Sequence, residues 1–339
     1  MTERLVFVTQ QVDPGSPVLG ATVAKLRALA GRVNEVVVLA DSAVDGALPD
    51  NCRVVPFAAA RRVGRGTRFE VALARELRPR PVAVVAHMCP IYAVLAAPLA
   101  RPRGAPVLLW FTHWRASRLL RIAERLSSAV VTVDRRSFPL PSRKVVAIGH
   151  GIDLADLSCT ERPDRSPTLL ALGRTSPAKG LDVVIRAIAD APDARLRIVG
   201  PSLTAEEREE RGRLDGLIRE LGLSDRITLE QPIARTHLPA LLADVDALVN
   251  NMRAGATDKV VYEAAATCLP VLASNPALDG LLGPELRFER GDPASLAARI
   301  RWLSDIDRRA VGRELRHRVE RDHDVEGWAD RLLEVARRR

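Results

Sequence analysis

Of the 51 basic residues in this 339-residue sequence, only Lys25, Lys144, Lys179 and Lys259 are lysines. Genome composition accounts for the skew, yet it makes each lysine conspicuous. Aromatic residues amount to 4% and none is interleaved with the arginines, so the stacking platforms of a nucleic-acid groove are lacking. The four cysteines, Cys52, Cys89, Cys159 and Cys268, are scattered without the short paired spacings of a zinc site or a redox pair. A reducing cytoplasm is the simplest setting for them. Long apolar runs are absent too. The opening segment MTERLVFVTQQ breaks its apolar run too early for a signal peptide. The longest stretch, 81–100, contains His87, Pro90 and Pro98 and reads as strand, turn and helix, not as a membrane span.

A composition of 47% hydrophobic and 27% charged residues is that of a folded chain, and the length suits two domains. Short β-branched runs at 5–9, 35–40, 82–86, 107–111 and 130–133 alternate with helix-period segments such as 21–29 and 119–126. A second series opens at 168–172 and continues through 196–199, 227–229, 247–249 and 270–273. Strands with apolar residues at consecutive positions are buried on both faces, which predicts an α/β protein with two doubly wound parallel sheets. The charged, Pro- and Ser-containing stretch 158–167 is the linker. The expected domains are therefore 1–157 and 158–315, with a closing helical segment, 316–339, packing back on the first. Trp302 and Trp328 are the expected anchors of the helical tail that begins near 291.

The chemistry concentrates in LGRTSPAKGLDVVIRAI, residues 172–188. Arg174 follows a strand and Lys179 opens an amphipathic helix, so both charges face the carboxyl edge of the sheet, where open α/β sheets bind ligands and helix starts favour anions. Arg174 can fork onto phosphate oxygens while Lys179 acts as a point charge. In isolation, a solvated surface pair would look the same. Residues 253–274, RAGATDKVVYEAAATCLPVLAS, place a small-residue loop at a helix start, where Gly255, Ala256 and Thr257 leave backbone N–H groups accessible. Glu263, two turns on, is placed to accept bonds from ribose hydroxyls, or to be an ordinary exposed helical residue.

Together these segments resemble the retaining GT-B glycosyltransferases of family four, and the resemblance covers most of the chain. VVAIGHGIDLADL (145–157), GRTSPAKGLD and 225–251 follow the family's order. The resemblance implies two Rossmann-like domains facing across a cleft, a nucleotide-sugar co-substrate (most often UDP-linked), an acceptor, and metal-independent catalysis without a further cofactor. It gives Arg174 and Lys179 the grip on the diphosphate, with the helix opening at Thr257, and gives Glu263 the ribose. Gly255 stands where the family carries a first glutamate for the donor sugar, a departure that bears on the identity of the sugar. Asp258 and Lys259 are substitutes for that contact, or else a helix-start charge and a solvent-facing lysine. The loop 12–20, with Gly15 allowing close backbone approach, and His113 at a strand end are implied beside the donor. Gly15 also suits an ordinary turn. His87 is a weaker candidate than His113, and His150 shapes the hinge.

Three Asp-x-Asp triplets begin at Asp244, Asp305 and Asp322, but two carboxylates in a helical tail or at a strand start are a weak metal signal. Residues 1–150 hold 22 basic against 10 acidic residues, net +12, whereas 151–339 hold 29 against 32, net −3. That asymmetry points to an anionic acceptor or an anionic membrane surface for the first half. The predicted helix 115–126 sets Arg115, Arg118, Arg121 and Arg125 opposite Leu119, Ile122, Ala123 and Leu126, either for acidic lipid or as a solvated face. A GT-B sugar-nucleotide epimerase is the alternative chemistry, and a basic nucleic-acid-binding protein the alternative of another class.

Overall fold

The structure, a computed structural model, describes residues 3–16, 19–161 and 166–339. The middle of the expected linker and two residues of the loop 12–20 lie outside these. The chain divides into two compact units, one holding the chain up to Asp153 together with Asp322–Arg339, the other Leu154–Arg321.

In the first unit the elements run β1 (Arg4–Val8), β2 (Gln11–Val12), α1 (Ala21–Ala30), β3 (Glu35–Ala40), β4 (Ser42–Ala43), β5 (Cys52–Pro56), α2 (Arg62–Glu76), β6 (Ala83–His87), α3 (Pro90–Ala100), β7 (Val107–Trp110), α4 (Arg118–Leu126), β8 (Ala129–Thr132) and β9 (Val145–Ala147). Seven strands form one parallel sheet in the order β5-β3-β1-β6-β7-β8-β9. Its central strands are buried along their length, as their unbroken apolar runs require. The edge strand β5 escaped prediction because its half-exposed CRVVP is neither a buried run nor a clean alternation.

The second unit runs β10 (Thr168–Leu172), α5 (Leu181–Ala189), β11 (Arg195–Val199), α6 (Ala205–Glu220), β12 (Ile227–Glu230), α7 (Leu238–Ala243), β13 (Ala247–Asn250), α8 (Lys259–Ala266), β14 (Val271–Ala273), α9 (Pro293–Trp302) and α10 (Arg308–Asp322). Its parallel sheet has the order β12-β11-β10-β13-β14. The last helix, α11 (Val325–Arg337), belongs to the first unit.

Two boundaries differ from the sequence expectation. The units part after Asp153 and Arg321, not after 157 and 315, because α10 is continuous and buries Leu315 and Val319 within the second unit. The helix expected over 115–126 begins at Arg118, where the Ser117 hydroxyl accepts from the Leu120 amide. Arg115 lies outside it, with its guanidinium 5.5 Å from the Trp114 ring centroid. The inward face of α4 is Leu120 and Ala123, whereas Leu119 and Ile122 are exposed by 37% and 47% alongside the arginines and not opposite them.

Trp302 is half-buried, while Trp328 on α11 is fully buried in the first unit, edge-on to Trp110 at 5.4 Å. The Lys25 ammonium lies 4.6 Å from the Trp110 ring centroid and 5.1 Å from that of Trp328. Trp328→Ala should therefore lower the stability of the first unit by about 3–5 kcal/mol, read by chemical denaturation.

Two of the cysteines pair where their spacing gave no sign of it. Cys159 and Cys268 form a disulfide with Cα atoms 4.9 Å apart, across a sequence separation of 109 that no short-spacing rule covers. Cys52 and Cys89 remain thiols, both pushed up to about 11 by burial. A cross-link over so long a loop constrains the unfolded chain strongly. Cys159→Ser with Cys268→Ser should lower the stability of the second unit by about 4 kcal/mol, and thiol counting of the denatured, unreduced native chain should find Cys52 and Cys89 alone.

Candidate active site

The second sheet reverses its order between β10 and β13. From β10 the chain winds outward through β11 and β12, then returns to lay β13 and β14 on the other side. The connections leaving β10 and β13 thus part in opposite directions and open a crevice at their carboxyl ends, the ligand position of open α/β sheets. Lys179 and the start of α8 lie there.

Lys179 ends a short 3-10 turn, Pro177–Lys179, that begins at Ser176. Its side chain folds back over the end of β10, where Nζ donates to the Leu172 carbonyl at 3.1 Å and pairs with the Asp258 carboxylate. Gly173 makes this fold-back feasible: a Cβ there would stand 2.6 Å from Nζ, and its φ of +127° suits glycine alone. Arg174 leans the other way, toward the connection after β11, with Nη1 3.1 Å from Glu207 Oε1. Glu207 is buried and held by the Leu203 amide at 2.7 Å and by its capping box with Thr204. The two cations, both at the carboxyl edge of the sheet, are thus paired with carboxylates from the connections after β11 and β13, the two neighbours of β10.

The loop before α8 departs from expectation. The Gly255 N–H donates to Asn275 Oδ1 at 3.2 Å and the Ala256 N–H to the Arg253 carbonyl at 3.3 Å, so neither is accessible. Asn275, fully buried after β14, also donates to the carbonyls of Arg253 and Ala256 and closes the loop as a tight turn. Thr257 is buried. Gly255 has φ +82°, a backbone that disfavours glutamate. The position eight residues before Glu263 thus lies in a tight turn whose backbone favours glycine.

Asp258 occupies the N-cap of α8 yet accepts no capping bond; its Oδ2 instead faces Lys179 and accepts from Asn250 Nδ2 at 3.0 Å. Glu263 is buried, not exposed, and its Oε1 is met by Arg235 Nη2 at 2.6 Å and by Lys259 one turn earlier. Lys259 is therefore not a solvent-facing lysine. Sequence inspection missed Glu207, Arg235, Asn250 and Asn275. Asn250 ends β13 and Asn275 follows β14, where a polar residue after an apolar run is the available signal; Arg235 lies on a turn with no distinguishing pattern.

In the first unit, His113 is exposed just beyond β7, its Nδ1 accepting from the Arg115 amide at 3.0 Å and its ring stacked on Trp114. His87 ends β6 within the core against Phe7 and Trp110; burial, with the nearby Lys25 charge, pushes it well below the usual imidazole range. It is a core histidine. His150 is buried, and its amide donates to His323 Nδ1 at 3.2 Å, next to the Ile152 amide bond to the His323 carbonyl. It thus joins the strand leaving the first unit to the strand returning. Gly15 is exposed in a turn closed by Asp13 Oδ1 at 2.8 Å, with no left-handed φ, so no glycine-specific backbone is used.

The Asp-x-Asp triplets have structural partners. Asp244 pairs with Arg197, Asp246 accepts from the Thr168 amide, and Asp307 and Asp324 accept from amides at the starts of α10 and α11. Among the described residues no cluster of three or more His, Cys, Asp or Glu could hold a metal ion. What the crevice offers is cations at a sheet edge and a helix start, which together suit a polyanion.

Residues 158–321, nearly the whole second unit, match the family model described as glycosyl transferases group 1. The chain is similar to a D-inositol 3-phosphate glycosyltransferase of Kineococcus radiotolerans, 29% identical over 231 residues that cover 58% of this chain and 52% of that protein. It is also similar to a GDP-mannose-dependent alpha-(1-6)-phosphatidylinositol monomannoside mannosyltransferase of Mycobacterium tuberculosis, 27% identical over 62% of each chain. The chain thus spans about half the length of the first of these relatives. Among solved structures, sucrose-phosphate synthase from Thermosynechococcus elongatus superimposes with a TM-score of 0.79 at 19% identity over 99% of this chain and 98% of that one. HepE of Anabaena, crystallised with UDP, gives 0.79 at 19% identity over 98% of both chains. The chain has the GT-B fold, and its second unit belongs to the glycosyl transferases group 1 family.

Proposed function

We propose that this chain is a retaining glycosyltransferase that moves a sugar from a nucleoside diphosphate, with UDP as the favoured carrier, to a small-molecule, glycan or glycolipid acceptor. The carrying observation is Lys179, folded back at the switch point of the second sheet against the start of α8. Relatives named as transferases, one of them GDP-mannose-dependent, support a nucleotide-sugar donor, as do the UDP and UDP-glucose complexes of HepE.

In this proposal Arg174 and Lys179 offset the charge that grows on the diphosphate as the glycosidic bond breaks. Glu263, buried against Arg235 and Lys259, takes the ribose hydroxyls in exchange for one of these two contacts. His113 keeps the place beside the donor sugar that the family resemblance implies. No metal is needed, so activity should persist in a chelator. Incubation with donor alone distinguishes transfer from epimerisation.

The peripheral membrane contact proposed for the first unit rests on α4, whose outward face combines Arg118, Arg121 and Arg125 with exposed Leu119 and Ile122. No helix among the described residues is long and apolar enough to cross a membrane. We place the reaction in the cytoplasm, at its membrane face.

Lys179→Ala should reduce turnover by about 10²–10³-fold with the fold intact by circular dichroism; near-native turnover would contradict the assignment. The chain should cosediment with phosphatidylglycerol vesicles at low salt and be released at high salt. Reversing Arg118, Arg121 and Arg125 to glutamate should abolish that binding, and equal binding to neutral vesicles would remove the electrostatic component.

A further inference from the structure

The cations of the crevice are satisfied by the chain's own carboxylates, but the pairs are not equivalent. Glu207 is fixed by the Leu203 amide and its capping box, while Arg174 is 58% exposed and can leave it for solvent at little cost. The Lys179 side chain is only 14% exposed, and its ammonium is held by the Asp258 carboxylate and the Leu172 carbonyl. Asn250 donates to the same Asp258 oxygen at 3.0 Å, so one carboxylate oxygen collects a cation and an amide donor as a phosphate oxygen would. The cavity lined by Gly173, Lys179, Asn250 and Asn251 measures about 10 Å³, enough for one water at most and far too little for a phosphate.

Asp258 also has a second place to go. It is the N-cap of α8, its φ of −71° and ψ of 120° are those of a capping residue, and its side chain makes no capping bond. A rotation about χ1 would carry the carboxylate from Lys179 to the N–H groups at the start of α8 without moving the backbone. Both positions offer the anion a positive partner, an ammonium in one and a helix start in the other.

We propose that Asp258 is a resident competitor for the diphosphate subsite: it holds Lys179 while the site is empty, and a diphosphate binds by displacing its carboxylate onto the start of α8. This rests on the donor-site assignment made above and adds a control to it. The subsite opens for a ligand that carries more charge than one carboxylate and stays shut to monovalent anions. Other charged groups facing the exchange are Lys259 on α8, already paired with Glu263, and Arg174 beyond β10.

The test is calorimetric titration of the full chain with inorganic pyrophosphate and with UDP. Asp258→Asn removes the charge and keeps the shape; Asp258→Ser removes the charge and keeps a capping oxygen. Both should bind pyrophosphate about tenfold more tightly than the native chain, and Lys179→Met should not bind it at all. In a pyrophosphate complex of the native chain the Asp258 carboxylate should lie off Lys179. Pyrophosphate bound with the carboxylate unmoved overturns the proposal. So does a native chain that binds UDP as tightly as both variants do, although the transferase assignment then stands. Absence of diphosphate binding by every folded chain overturns both.

Discussion

A largely buried ammonium at the carboxyl end of a parallel sheet is costly to leave without an anion, and the second unit is arranged around that constraint. Lys179 is held where two strand connections diverge, and the low exposure that sharpens its attraction for phosphate also makes an uncompensated charge there costly. The chain supplies the missing charge from Asp258, fixes Asp258 with Asn250, and admits the folded-back side chain by placing glycine at 173. Arg174, more exposed, needs less, and its partner Glu207 serves the start of α6 as much as it serves the arginine.

The fold was legible in the sequence because buried parallel strands announce themselves. Runs such as 35–40 and 107–110 have no polar face, so they admit few arrangements other than a sheet covered on both sides by helices. Edge and interrupted elements were less visible. The helix from Arg118 starts three residues after the expected position because a serine hydroxyl, and not the arginine spacing, sets its first turn. The Cys159–Cys268 bond was invisible for a related reason: a pair separated by 109 residues is set by tertiary geometry, which spacing rules do not contain.

The candidate site was legible in its residues but not in their partners. Arg174, Lys179 and Glu263 could be placed at a sheet edge and a helix from pattern alone. That each is met by an opposite charge could not, since Glu207, Arg235 and Asp258 come from the connections after β11, β12 and β13, joined only when the sheet forms. Accessible N–H groups at Gly255 and Ala256 were expected from small residues before a helix. Smallness permits accessibility, but it equally permits the tight turn that Asn275 closes.

The Asn275-closed turn and the Asp258 carboxylate belong together. A left-handed glycine at 255 gives up any side chain at that point of the loop, and the acidic group nearest in sequence is Asp258, at the helix start. An acceptor placed there lies within contact of Lys179 and of Asn250. At the same helix start Lys259 contributes the cation that, with Arg235, surrounds Glu263. The segment 255–259 thus carries a pair of charges, Asp258 and Lys259, that face Lys179 and Glu263 of the same unit.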